Sequence, residues 1–101
     1  MIDLSIKIER LNSEFQEVIS EILYKEVKNP DLKFVTITGC DITNDLSFCK
    51  VYFTVLGKDK DEILRELNNA ASFIRGEISK RVQIRHTPEL EFIYDESIEY
   101  G

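Results

Sequence analysis

Apolar residues in this chain recur with two different periods, and the order in which the periods alternate decides which elements can form. Over residues 4 to 27, Ile8, Leu11, Phe15, Val18 and Ile22 return at spacings of three and four, with Ile19 and Leu23 widening the stripe. Glu9, Glu14, Glu17, Glu21 and Lys25 fall mostly on the opposite side, as in an amphipathic helix. Asn29-Pro30 stops it, because the residue before a proline is pushed out of the helical region. Over 47–56 the period drops to two, with Cys49, Val51, Phe53 and Val55 on one face and Phe48, Lys50, Tyr52 and Thr54 on the other. The preceding strand, 34–43, is out of step with itself: Val35 and Ile37 share a face, but Cys40 and Ile42 fall on the other. One extra residue at Gly39-Cys40, a β-bulge, would return all four to one core. A tight turn at Asn44-Asp45 joins the two strands.

A helical period resumes near Asp59 and carries Ile63, Leu67, Ala70, Ile74, Ile78 and Val82. A straight helix over 59–82 would be about 36 Å long, which is long for 101 residues, so a break is expected at Ala71-Ser72. The last strand spans Glu89 to Tyr94, with Leu90, Phe92 and Tyr94 on one face. Helix, strand, strand, broken helix, strand predicts an α+β domain with helices on one face of a three-stranded sheet. With no repeat, low-complexity tract or linker, residues 1–101 read as one domain. No apolar run approaches the ~20 residues of a membrane helix, and the N-terminus has no signal-like apolar region, so a cytoplasmic location is expected.

Charge is distributed unevenly. The net charge is −6, yet residues 87–101 alone contribute −5 through Glu89, Glu91, Asp95, Glu96 and Glu99. Just before them, Arg75, Lys80, Arg81, Arg85 and His86 face one acid, Glu77, giving a local +3. Lys80 and Arg81 are accounted for by a helix C-terminus, where a cation is worth ~0.3–1 kcal/mol. Arg75 and Arg85 are not, and the cluster points to a face for an anionic partner such as nucleic acid.

Candidates for catalysis are few. There is no GxxxxGK[ST], GxGxxG, HExxH or GxSxG. His86, the only histidine, has no nucleophile or orienting carboxylate in a recognisable pattern and reads as a surface residue. Glu89 and Glu91 have a spacing that could bind a metal, but they suit the solvated face of an amphipathic strand better. No metal, no cofactor and no catalytic residue is expected. A two-residue turn at Asn44-Asp45 would set Cys40 opposite Cys49, close enough for a disulfide, although reduced thiols packed as small hydrophobes are the expected state.

Two stretches, VTITGCDITNDLSFCKVYFTVL and AASFIRGEISKRVQIRHTPELEFIYDES, resemble bacterial ribosome-binding factor A. The resemblance runs from Arg10 to Tyr94-Asp95. It is carried by Val35-Thr36-Ile37-Thr38-Gly39, the Asp45-Leu46 turn, Lys50-Val51-Tyr52, Phe73-Ile74-Arg75, and Pro88-Glu89-Leu90 with Phe92. It implies a type-II KH-like fold in which the nucleic-acid-gripping GXXG loop is replaced by an interhelical kink of sequence Ala-x-Gly. Ala70, Ala71 and Ser72 stand at those positions, with Ser72 in place of the usual Gly. Members commonly continue past the position of Tyr100-Gly101 into a further helix or tail.

The resemblance further implies a non-enzymatic factor that binds the free small ribosomal subunit, and a monomer is expected because no helix has a second hydrophobic stripe to cover. It would assist late folding and processing of the ribosomal RNA and support growth in the cold. Arg75, Lys80, Arg81 and Arg85 then become candidates for RNA phosphates, with Lys7 and Arg10 extending the patch. The competing reading is a protein–protein interaction domain that uses the outer sheet face, through Phe48 and Tyr52 flanked by Lys50 and Thr54. A metal-dependent hydrolase using Glu89 and Glu91 is a distant third.

Overall fold

The computed structural model describes residues 4–97, with side chains from Lys7 onward. Its elements are α1 (Leu4–Lys25), a 3-10 turn (Pro30–Phe34), β1 (Val35–Ile42), β2 (Phe48–Val55), α2 (Lys60–Arg81) and β3 (Glu89–Tyr94). The strands form one sheet in the order β1-β2-β3, antiparallel between β1 and β2 and parallel between β2 and β3. Both helices cover the same side of this sheet. Phe15, Ile19, Ile22 and Leu23 of α1, and Ile63, Leu67, Ile74 and Ile78 of α2, share one core with Cys49, Val51, Phe53 and Phe92. Tyr94 closes it edge-on to Phe53, ring centroids 5.7 Å apart.

α1 is fastened to the sheet by its polar residues as well as its apolar stripe. Asn12 Oδ1 accepts from the Ile42 amide at 2.9 Å, and Gln16 Nε2 donates to the Ile37 carbonyl at 3.1 Å. Those two amide side chains occupy backbone groups on the outer edge of β1, a position otherwise open to strand addition. At the other end of the sheet the Asp59 carboxylate caps α2, accepting from the amides of Asp61 at 2.8 Å and Glu62 at 3.3 Å.

The β1–β2 register slips between Ile37 and Gly39, leaving Thr38 as the extra residue. The predicted bulge is present, one position earlier than Gly39-Cys40, and Val35, Ile37, Cys40 and Ile42 all reach the core side. Thr38 is also tied down, its hydroxyl donating to Asp95 Oδ2 at 2.7 Å beyond the end of β3. That bond and two from Ser97 hold the Asp95 carboxyl below the usual carboxylate range, the Ser97 hydroxyl contributing most.

The hairpin differs from the expected two-residue turn. Thr43 pairs with Phe48, not Leu46: the Thr43 amide donates to the Phe48 carbonyl at 2.9 Å, and the Thr43 carbonyl accepts from Leu46. A two-residue type I′ turn needs positive φ at both central residues, which Asn-Gly supplies and Asn44-Asp45 does not. Instead Asp45 Oδ1 accepts from the Thr43 hydroxyl at 2.8 Å and the Ser47 amide at 3.0 Å, and only Leu46 goes left-handed, at φ 64°. The register therefore moves by two, so that Cys40 faces Val51 and Cys49 faces Ile42. A shift of two preserves every face. The cysteines are diagonal neighbours, both free, and the Cys40 thiol is pushed up by its hydrogen bond with Cys49 and then by burial.

α2 runs unbroken from Lys60 to Arg81, so the interruption expected at Ala71-Ser72 is absent. Ala70, Ala71 and Ser72 are three ordinary helical positions, and any bend they impose is taken up within a continuous helix. The length argument for a break gives way because the molecule is elongated: a helix of about 33 Å fits along its 46 Å axis. Alanine's high helix propensity favours continuity at the same place.

Candidate nucleic-acid interface

The six cations singled out by sequence do not form one patch. Arg75 is half-buried and turned inward: Nε donates to the Pro88 carbonyl at 3.0 Å and Nη2 to the Thr87 carbonyl at 2.9 Å. The guanidinium fork thus holds the segment that leads from α2 into β3. Backbone carbonyls are lone acceptors there, and a planar fork satisfies two adjacent ones as no other side chain can.

Arg81 is occupied by acids, two of them remote in sequence. Its guanidinium lies 3.2 Å from Glu26, 3.6 Å from Glu21 and 3.6 Å from Glu77, and its side chain is only 27% exposed. Lys80 shares Glu77 at 3.6 Å, and Lys25 shares Glu21 at 3.7 Å. Around the C-terminal end of α2, three cations therefore meet three carboxylates, and the charge of Arg81 in particular is matched by acids from the end of α1 and the residue after it. The signal was present as Glu21 in α1 and Glu26 just after it, but only the packing of the two helices brings them to Arg81.

The cations left available are Lys80, whose side chain is 73% exposed, and Arg85, exposed and without an ion pair among the described residues. Lys7 and Arg10 are exposed near the start of α1. Arg10 precedes Glu21, where Arg81 touches α1, by a rise of about 16 Å along the helix. It stands beside Glu9, Glu14 and Glu17 on the same surface. Lys7 and Arg10 are thus a separate cationic point rather than an extension of the α2 cluster.

Beside the cluster lies a feature the sequence did not single out. Glu26, Val27, Lys28 and Asn29, following α1, face Ala70 and Phe73 of α2 across a mostly apolar groove of about 350 Å³. Phe73 is 46% exposed, and Ala70 of the expected kink forms part of the floor. An exposed aromatic beside a lysine is the kind of surface on which a base can stack. In the sequence Phe73 stands out only within the Phe73-Ile74-Arg75 resemblance; its exposure was not marked, because it sits between buried-face positions of α2.

Elsewhere chemistry is sparse. His86, Glu89 and Glu91 are exposed, and among the described residues no three His, Cys, Asp or Glu side chains gather as they would for a metal ion. No described helix is long and apolar enough to cross a membrane.

The fold and these positions can be set beside known proteins. The sequence profile described as Ribosome-binding factor A matches residues 7–101. Ribosome-binding factor A of Natranaerobius thermophilus is 46% identical over 95 residues, covering 92% of this chain and 72% of that protein. The solution structure of a putative ribosome-binding factor A from Thermotoga maritima superposes with a TM-score of 0.78 at 30% identity, covering 100% of this chain and 98% of that one. A homology model of ribosome-binding factor A of Thermus thermophilus, fitted into a cryo-EM map of its complex with the 30S subunit, shares the fold with a TM-score of 0.73 at 22% identity over 87% of this chain and 94% of that one. A profile match across nearly the whole length, with a relative close to half identical, places this chain in the ribosome-binding factor A family.

Proposed function

We propose that this protein binds the free small ribosomal subunit and acts there as a maturation factor, assisting late folding and processing of ribosomal RNA, including in the cold. The observation that carries the reading is the family match over residues 7–101, supported by a Thermus relative fitted in a 30S complex. The factor works in the cytoplasm as a single-domain monomer of residues 1–101 with a KH-like fold, and it catalyses nothing. Lys80 and Arg85 meet RNA phosphates directly. Arg75 and Arg81 shape the surface from which those two project, and Lys7 and Arg10 make a second, separate phosphate contact. Ala70, Ala71 and Ser72 stand where the usual KH loop would lie, and Ala70 with Phe73 offers the groove to an unpaired base. The acidic remainder of the surface keeps the factor off RNA in general, so affinity depends on a shaped site.

Co-sedimentation with small subunits, large subunits and assembled ribosomes across a salt series tests this. Binding to free small subunits alone, falling steeply with salt, is expected, and K80E/R85E should flatten the log–log salt slope by about 0.7–0.9 per lost phosphate contact. Wild-type protein that pellets with none of the particles would refute the proposal. K80E/R85E with an unchanged slope would remove these two residues from the interface.

A further inference from the structure

We infer that the outer face of the sheet is a second docking surface, built for a cationic, apolar-containing segment of another protein. The two helices cover one side of the sheet only. On the other, strand register sets Asp41, Lys50 and Glu91 in one row and Gly39, Tyr52 and Ile93 in the next, with Phe48 and Glu89 paired at the hairpin end. Asp41, Thr43, Phe48, Lys50 and Glu91 enclose an open groove of about 380 Å³. Phe48 is 51% exposed, and Tyr52 and Ile93 are half-buried beside it. The space above Gly39 is open, with no atom within 4 Å of where a β-carbon would sit. Among the described residues nothing covers this half of the sheet.

Charge decides the occupant. Lys50 stands between two carboxylate residues in cross-strand register, Asp41 and Glu91, so the row as a whole carries more negative than positive charge. Glu89 adds a third carboxylate, giving three exposed acids to one ammonium around an exposed aromatic. Such a surface repels phosphate and so disfavours RNA. It suits Arg or Lys side chains, which pair with the rim carboxylates while an apolar neighbour packs on Phe48 and Tyr52. Asn12 and Gln16 occupy β1's outer edge, so the segment lies across the face rather than extending the sheet from that strand. This face is on the opposite side of the sheet from α1 and α2, so changes at Lys80 and Arg85 leave it untouched.

The test is a titration of the full-length, ¹⁵N-labelled protein with a capped nine-residue peptide of alternating Arg and Leu, followed by amide shifts. Shifts should concentrate on Asp41, Phe48, Lys50, Tyr52, Glu91 and Ile93. D41K/E91K and, separately, F48A should each weaken binding at least tenfold while keeping native spectra. E14K/E17K makes the same change in net charge on exposed positions of α1 and should weaken it less than threefold. Equal losses in the two charge variants would reduce the effect to overall acidity and overturn the proposal. Unchanged binding by F48A, shifts confined to other surfaces, or the same amides moved by an oligouridylate would overturn it too.

Discussion

Replacing Arg75 separates a residue that holds the fold from one that grips RNA. Its guanidinium donates to two successive carbonyls, Thr87 and Pro88, from a half-buried position. A hydrogen bond from a charged donor is worth roughly 1.5–3 kcal/mol, and halving for solvent access puts the pair at about 1.5–3 kcal/mol. Arg75→Met keeps the apolar stem but leaves both carbonyls without this donor, and Pro88 is fully buried. For a domain of this size 1 kcal/mol moves Tm by ~4–8 °C, so Arg75→Met should lower it by roughly 10–20 °C. Arg75→Lys retains the charge but not the fork, and should recover about half of the loss. Differential scanning calorimetry gives the Tm values, and co-sedimentation with small subunits well below the lower Tm gives binding. A clamp predicts a large thermal shift with the salt slope of binding unchanged. Wild-type Tm in Arg75→Met, with binding lost, would show that the two backbone contacts are incidental and that Arg75 is a ligand.

Four further outcomes follow from the same structure. Because α2 is continuous through Ser72, Ser72→Ala should stabilise by about 0.5 kcal/mol and Ser72→Gly should destabilise by about as much, measured by urea unfolding. Gain from the Gly variant would instead indicate a kinked helix that wants the family's usual residue. Arg81→Met loses ion pairs that remain partly exposed, so it should cost only about 0.5–1 kcal/mol in low salt and less in 1 M salt, by the same unfolding assay. Leu46→Asn, placed at φ 64°, should relieve left-handed strain that costs a branched residue ~1–2 kcal/mol; partial loss of Leu46 packing offsets some of this, and Tm should stay level or rise. The folded pKa of Asp95 is depressed, so folding favours its charged form: its contribution is present above the unfolded carboxylate value near ~3.9 and is lost as pH falls through the lower folded value. Thr38→Val removes one of the causes, and its acid unfolding curve should therefore fall less steeply over that window than wild type.

What was legible in the sequence was whatever depends on period, and what was not depends on side chains meeting across elements. Alternation in β2 and the three-four stripes of both helices required only neighbours along the chain, and every face assigned from them holds. The phase break between Ile37 and Cys40 even revealed a bulge, since one inserted residue is the smallest repair. The hairpin register failed because it turned on how Asp45 and Thr43 use their oxygens, which periodicity does not encode; the error of two left the faces intact and moved only the cysteines. The basic cluster is a different case. Counting charge along residues 75–86 treats cations as free, whereas packing α1 against α2 supplies Glu21 and Glu26 to Arg81 and turns Arg75 toward backbone. A charge run on a helix end therefore reports binding only after its partners on the facing helix are subtracted. Here the subtraction leaves Lys80 and Arg85 exposed at the end of α2, and Asp41, Glu89 and Glu91 exposed around Phe48 on the outer sheet. In the reading proposed above, phosphate contacts at Lys80 and Arg85 and a basic protein segment on the outer sheet would together let a small acidic domain select one site on a particle made of both.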